Sequence, residues 1–447
     1  MELVASATDL TALHEDTMRR APAEGGAFLA VEPSHGRLLL RSTRVFRDEE
    51  LEPDAFGLIL RDQAKVALLA ELKGAGHGVI DVHTHPGSDR RVDFSALDQA
   101  ELPAYARYVQ LKLGGKAFGA LVLGRHSYAG TFFDKSQTRT LRIHAVGERA
   151  DIPPWVSARE EYERGPSPDL RVHDRQLRAL GPAGQARLID TCVGIVGLGG
   201  TGSVVVQQLA HLGVRSYVLV DDDVVEESNL NRLATATRAD ARKMRRKDEV
   251  AERLIRRLAQ QPMIVRTGTL RTRESLRHLA GADLIIGCVD NDGARLILAE
   301  LAAAHLIPYL DIGVSVQADA RGLQMGGRTA FHVPGGPCLA CADELDFGEA
   351  AEDLESESLR KIRLSRGYAE DRRIEAALMP LNTTVAGLAV TEAVCFITGV
   401  RRVVRFQRYD YSGSRLVPIY VERDHDCPVC MPAFAMGDRQ QLDRYAL

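Results

Sequence analysis

No run of apolar residues in this sequence is long enough to cross a bilayer; the longest, such as Thr191–Val196 and Ser216–Val220, are strand-sized. An apolar N-terminal h-region is also missing. MELVASATDLTALHED carries early acidic residues, which excludes a secretory signal and makes the cytoplasm the expected compartment. Net charge is nearly absent, at −4, so the whole chain has no electrostatic reason to seek nucleic acid or an anionic membrane. Neither is expected as a partner. Tryptophan is reduced to one residue, Trp155. Cysteine is scarce, at 7 residues, and four of these form two Cys-x-x-Cys pairs. In a chain of the cytoplasm that pattern favours metal over disulfides.

What is present is a soluble-protein composition, 45% apolar and 26% charged, over 447 residues. That length implies two domains. Residues 1–150 alternate strand-like runs (GAFLAVEP, GRLLLRS, HGVIDVH, FGALVLG) with helical segments at Ala64–Leu72 and Ala96–Leu111, as in an α/β sandwich. Residues 151–170, DIPPWVSAREEYERGPSPDL, hold four prolines and little periodicity and read as a linker, with Trp155 placed to pin it to a neighbour. Residues 171–447 form the second unit. Strand CVGIVGL, helix Ser203–Leu212, strand SYVLVDDD, a helix near Arg246–Gln260 and strands MIVRTGT and ADLIIGCVDN predict a doubly wound, Rossmann-like parallel sheet. Residues 432–447 are polar and read as a tail.

Gly197-Leu-Gly199-Gly200-Thr-Gly202 stands between a strand and a helix. Glycines there permit a tight turn and close approach of backbone to phosphate, and the helix N-terminus adds positive potential. Asp221 closes the next strand, where its carboxylate can accept from ribose hydroxyls. This much fits a dinucleotide or ATP. The following residues favour ATP: Asp223, Asn229, Arg232 and Lys247 gather polar and cationic groups past the strand ends, and Asp290 stands at another strand end, where a carboxylate can hold Mg2+. Hydride transfer needs neither. The basic run RKMRRK, Lys247 apart, reads as an exposed helix face.

From Val172 to about Met431 the chain resembles the ubiquitin-activating (E1-like, ThiF/MoeB-type) adenylating family. HDRQLRALG, GIVGLGGTGS, DDDVVEESNLNR, KDEVAERL, CVDN and the two Cys-x-x-Cys pairs come in the family's order. The resemblance implies adenylation of the C-terminal carboxylate of a ubiquitin-like (β-grasp) protein. It implies that Asp221 holds the ribose, that Asn229, Arg232 and Lys247 contact phosphates, and that Asp290 binds Mg2+. Arg175 matches an arginine that reaches the partner's ATP, so a homodimer is implied.

Cys338, Cys341, Cys427 and Cys430 can offer four thiolates to a structural Zn2+, a closed shell with no place for water; redox-active pairs are the alternative. Cys192, Cys288 and Cys395 lie in apolar contexts and read as small buried hydrophobes. Many E1-like enzymes have a catalytic cysteine between the knuckles, but Ala342 to about Pro380 has none. Three readings follow: the reaction stops at the adenylate; Ser356, Ser358 or Ser365 forms an oxyester; or a partner, such as an E2-like protein or another acceptor, supplies the cysteine. The first is preferred, because no histidine lies near these serines to activate them.

In the first unit, His83-Thr-His85-Pro86 puts two imidazoles on one face of an extended segment, and Ser95-Ala-Leu-Asp98 offers a carboxylate. Three ligands leave a fourth position to water, the arrangement of a catalytic Zn2+. Glu24 is placed as general base and Ser95 as donor to an oxyanion. Asp93 is a competing ligand. This set resembles the JAB1/MPN metalloprotease family (JAMM motif), over roughly residues 10–130, with a longer loop between His85 and Asp98 than the family usually shows. The resemblance implies zinc-dependent peptidase or isopeptidase action beside a ubiquitin-like tail. The expectation for the whole chain is one polypeptide that adenylates a modifier and also processes or removes it. Two alternatives stand beside it: adenylation of a sulfur carrier or peptide in cofactor or natural-product biosynthesis, with the first unit trimming the carrier; and a first unit that only binds the modifier.

Overall fold

The computed structural model describes residues 1–53, 58–88, 91–134, 137–156, 171–319, 322–365 and 376–446. Most of the expected linker and the end of the crossover segment therefore lie outside the described residues.

The first unit is one mixed sheet with helices against it. Its strands are β1 (Glu2–Ser6), β2 (Gly26–Ser34), β3 (Arg37–Val45), β4 (Gly78–Thr84), β5 (Phe118–Leu123), β6 (Tyr128–Phe133), β7 (Thr138–Thr140) and β8 (Arg142–Val146), in the order β7-β6-β5-β4-β2-β3-β1-β8. The helices are α1 (Ala7–Met18), α2 (Asp62–Ala75) and α3 (Ala96–Lys112). Leu3, Leu29, Val31, Ile80, Val82 and Leu121 are fully buried on these strands. A second cluster, with Phe28, Leu68, Leu69, Val109 and Phe118, fills the space under α2 and α3. Trp155 stacks on His14 and meets Tyr128 edge-on inside the first core. Residues up to Val156 thus pack with this unit, so its edge falls a little later than the sequence placed it.

The second unit starts with α4 (Asp174–Asp190), broken at Gly181. There follow β9 (Cys192–Val196), α5 (Gly200–Leu212), β10 (Ser216–Val220), α6 (Arg238–Arg242), α7 (Lys247–Leu258), β11 (Met263–Arg266), α8 (Arg273–Leu279), β12 (Leu284–Gly287), α9 (Asp292–His305), β13 (Tyr309–Asp319), β14 (Gly322–His332), α10 (Phe347–Leu354), α11 (Glu357–Ser365), α12 (Met379–Thr398), β15 (Phe406–Asp410), β16 (Arg415–Pro418) and α13 (Cys430–Ala433). The sheet runs β11-β10-β9-β12-β13-β14-β15-β16. The first five strands are parallel; the rest are antiparallel. β9 therefore sits where the strand order reverses, the usual ligand crevice of open α/β sheets.

Three expectations need correction here. α12 is long and apolar enough to cross a membrane by length and composition, contrary to the reading of the sequence. Its Leu381, Val385, Ala386, Ala389 and Ala393 are instead spent on the second core. Residues 432–446 do not form the free polar tail expected of 432–447, of which Leu447 lies outside the described residues. Ala435 is fully buried beside Val4, Leu39, Val146 and Leu306, and Tyr445 donates to Glu300 at 3.0 Å. The basic run is not simply an exposed face either. Arg246 donates to the Asp221 carbonyl at 3.0 Å and pairs with buried Asp248, and Arg245 faces buried Asp240 at 3.5 Å.

The two units share an extensive interface. Arg439 reaches Glu32 (3.2 Å) and the Ala75 carbonyl (2.9 Å), and Arg41 donates to the Phe434 carbonyl. Buried Glu148 accepts from the Val403 amide at 3.0 Å, and Arg402 pairs with Asp151 at 2.6 Å. Ser34 and His305 are hydrogen-bonded at 2.7 Å; burial pushes His305 down to about 3, so the ring is neutral.

Candidate functional site

The glycine turn closes at the reversal point. Gly197 has φ +84, and a β-carbon there would lie 2.5 Å from the Cys288 carbonyl oxygen, at the end of β12. At Gly202 a β-carbon would lie 2.0 Å from the Gly197 carbonyl oxygen, so α5 must start with no side chain there. At Gly199 it would meet nothing within 4 Å. That is the open side. No side chain caps α5, so its first backbone N–H groups face this space as a ready anion site.

Asp221 ties the turn to β10: its carboxylate accepts from the Leu198 amide at 2.5 Å and the Asp223 amide at 2.9 Å. Burial raises its pKa. Each carboxylate oxygen keeps a second lone pair for a sugar hydroxyl. Lys247 Nζ is ion-paired with Asp223 at 2.6 Å. The Arg232 stem lies against Gly200, 3.4 Å from where a β-carbon would be. Asp290 is exposed two residues past Cys288. Asn229 is buried and its side-chain oxygen accepts from the Glu226 amide, so here it holds the loop that carries Arg232.

Arg175 does not join this group. Its neighbours His173 and Gln176 pack on Gly213 and the His211 carbonyl, at the far end of α5, a helix about 20 Å long. Sequence reasoning missed Asn382. Its amide lies over Gly200, 2.3 Å from a β-carbon position there, and is almost fully buried. The available signal was a polar residue inside the apolar run of α12. Also missed was the buried ionic group beneath β12 and β13. There Asp311 pairs with Arg328 at 2.8 Å and faces Arg295 at 3.5 Å, and Arg295 pairs with Asp292.

The four knuckle sulfurs stand 3.7 Å (Cys338–Cys341), 3.6 Å (Cys338–Cys427) and 3.8 Å (Cys341–Cys430) apart. A tetrahedron with zinc–sulfur bonds of about 2.3 Å has edges of about 3.8 Å. The spacing fits zinc and is far too long for disulfides. The Cys338 sulfur, more than burial, pushes the Cys341 thiol up to about 12, a crowding that a dication would relieve. Cys395 is buried, and burial raises its pKa and those of Cys192 (to about 11) and Cys288. None of the three is an activated nucleophile. Ser356 and Ser358 bond each other at 3.0 Å, and Ser365 donates to the Ile362 carbonyl; no base is recorded against them among the described residues.

In the first unit His83 and His85 bring their rings to 5.0 Å. Asp98 Oδ2 lies 3.4 Å from His83 Nε2 and 3.6 Å from His85 Nε2. Three ligands on a tetrahedral ion with bonds near 2.1 Å would be about 3.4 Å apart. His83 Nε2 is buried and makes no hydrogen bond, an orphan that a metal would satisfy. Glu24 Oε1 is 3.6 Å from His85 Nε2. Its position is set by Gly25, whose amide donates to Thr84 Oγ1 at 2.8 Å and whose carbonyl accepts from the Thr84 amide at 2.9 Å. The adjoining His83 ring, with hydrogen bonds from Ser95, holds the Asp98 carboxyl well below its ordinary range. Ser95 is the N-cap of α3: its hydroxyl accepts from the Asp98 amide, and Asp98 accepts from the Ser95 amide at 2.7 Å. Asp93 is bonded to the Phe94 amide and stays out of the cluster.

A glycine turn at the reversal point of a parallel sheet, with carboxylate, arginine and lysine around it, defines a nucleotide-binding α/β protein. Residues 173–429 match the ThiF family, and the chain belongs to that family. It is 29% identical over 257 residues to the SAMP-activating enzyme E1 of Haloferax volcanii, covering 56% of this chain and 84% of the relative. It is 29% identical to the sulfur carrier protein ThiS adenylyltransferase of Bacillus subtilis, covering 56% and 68%. It is 29% identical to the molybdopterin-synthase adenylyltransferase of Escherichia coli, covering 59% and 96%. Residues 1–172 lie outside the family match.

Proposed function

We propose that the second unit uses ATP to adenylate the C-terminal carboxylate of a ubiquitin-like or sulfur-carrier β-grasp protein, and that the first unit is a zinc peptidase acting beside the same tail. The observation that carries the adenylating half is the uncapped start of α5 at the reversal point, in a ThiF-family chain whose relatives include adenylyltransferases and an activating enzyme. The α5 amides and Lys247 would bind phosphates, Asp221 the ribose, and Arg232 the charge that develops as pyrophosphate leaves. Asp290 would hold Mg2+, which screens the phosphates from the attacking carboxylate. Arg175, at the start of α4, lies beside the far end of α5, away from its own chain's glycine turn, which supports its acting on the partner's site in a homodimer. With no free cysteine or activated serine recorded in the described crossover, the reaction stops at the acyl-adenylate and an acceptor attacks it. The test is intact mass spectrometry of candidate β-grasp proteins incubated with the chain, ATP and magnesium. A gain of one AMP, absent with Asp290→Ala, supports the reading; no gain with any candidate in the panel counts against it.

For the first unit, His83, His85 and Asp98 would hold zinc, which lowers the pKa of bound water and polarises a carbonyl. Glu24 would take the water proton. A precursor extended beyond the modifier's terminal glycine should be cut by the chain and not by Glu24→Ala. One observation favours a binding module instead: Ser95 and Asp98 also form a complete capping box, which explains that pair without catalysis. No cleavage in either protein would favour that second reading, whereas cleavage retained in Glu24→Ala would count against Glu24 as the base.

A further inference from the structure

At the interface between the units, three side chains from three separate segments converge. His35 comes from the first unit, at the tip of the β2–β3 hairpin. His305 is the last residue of α9. Asp438 comes from the C-terminal segment. One ligand atom from each lies within 4.8 Å of the other two, and His35 Nε2 stands 3.6 Å from Asp438 Oδ1.

The hairpin is built to present His35. Ser34 pairs with Arg37, so His35 and Gly36 form a two-residue turn, with φ of 47 and 76. Turns of this hand favour Asn-Gly or Asp-Gly, because both central residues need positive φ. A histidine here carries a backbone cost that its position over the second unit offsets. Gly437 packs against Ser34, Leu39 and the Pro33 carbonyl, and this contact brings Asp438 up to the same hairpin. His305 is 6% exposed, and its Nδ1 is held by the Ser34 hydroxyl at 2.7 Å. A hydrogen bond that fixes the ring is the usual arrangement around a ligating histidine.

We propose that His35, His305 and Asp438 form a third metal site, separate from the knuckle and the His83 cluster, which clamps the two units together through the C-terminal segment. Two imidazoles and a carboxylate suit zinc or another late first-row dication, and suit magnesium or calcium poorly. Three protein ligands leave one position for water. The site staples three segments that otherwise meet through hydrogen bonds, ion pairs and one small apolar cluster.

The test uses the full chain, dialysed after loading with zinc chloride and assayed for zinc by mass spectrometry. His35 and Asp438 are surface residues, so His35→Ala and Asp438→Asn should fold. Each should hold one zinc fewer than the wild type, and added zinc should raise the wild-type Tm by more than it raises theirs. His83→Ala probes a different ion, and the His35→Ala/His83→Ala double variant should be two short. The reading of the first unit can thus fail, through His83→Ala alone, without touching this one. Unchanged zinc in both His35→Ala and Asp438→Asn overturns the proposal, and so does a lower Tm with unchanged zinc, which would leave only an interface ion pair.

Discussion

The amide of Leu198, inside the glycine turn, donates to the carboxylate of Asp221 at the end of the neighbouring strand, 2.5 Å away. The residue assigned to the ribose therefore also shapes the loop assigned to the phosphates. Asp221→Ala should weaken ATP binding by more than a lost sugar contact, because the turn loosens too. One hydrogen bond to a charged group contributes about 1.5–3 kcal/mol, or roughly a tenfold to hundredfold change in Kd. Asp221→Asn keeps one acceptor and should lose less. Calorimetric titration with ATP checks the order; equal losses would count against the shared role.

Arg175 gives a test of assembly. Arg175→Ala and Asp290→Ala should each abolish adenylation alone. If arginines are exchanged between subunits, mixing the two variants rebuilds one complete site in each mixed dimer. Equal amounts should recover about a quarter of wild-type activity. No recovery after verified subunit exchange would place Arg175 outside the site.

Asp240 supplies a prediction in pH. It is buried between Arg253 (2.6 Å) and Arg245 (3.5 Å), and the hydrogen bond from Arg253 holds its carboxyl well below the ordinary range. Its pKa is lower in the folded chain than the unfolded value of about 3.9, so its contribution is whole above about pH 5 and is lost as the pH falls from there. Asp240→Asn should cost about 2 kcal/mol at pH 7 and progressively less below pH 4. Urea melts at both values give the comparison; a gap that widened in acid would contradict the assignment.

The knuckle makes a mechanical prediction. Cys427 and Cys430 immediately precede the segment that carries Ala435 and Arg439 into the interface and Tyr445 onto Glu300. Cys341→Ser should lower Tm and expose residues 434–446 to protease before the sheet residues are cut. Simultaneous loss of both would show that the knuckle supports the whole second unit equally.

The parallel sheet was legible because its strands are short unbroken apolar runs separated by helical patterns, and the glycine spacing marked where β9 ends. The metal ligands were legible for a similar reason: His-x-His and Cys-x-x-Cys place donors by local geometry alone. Asn382 and the Asp311 group were not. Asn382 meets Gly200 far away in sequence, the Asp311 group joins residues of separate elements, and a lone polar residue in an apolar stretch carries no register. Residues 432–447 misled in the same way. Arg439 pairs with Glu32 across the interface and Arg444 with Glu300 inside the second unit, so polarity there marked contacts and not a solvated tail.

The interface also imposes an order on biosynthesis. Trp155 and Val156 complete the first core, so that unit can fold once its own residues have left the ribosome. Its docking must wait for Arg439, which is translated only after the whole second sheet and both knuckles. Until then the underside of its β2–β3 hairpin faces water, and a chain interrupted late in synthesis would display that surface to proteases and chaperones. The segment that follows the second knuckle thus reports on whether both units before it were made.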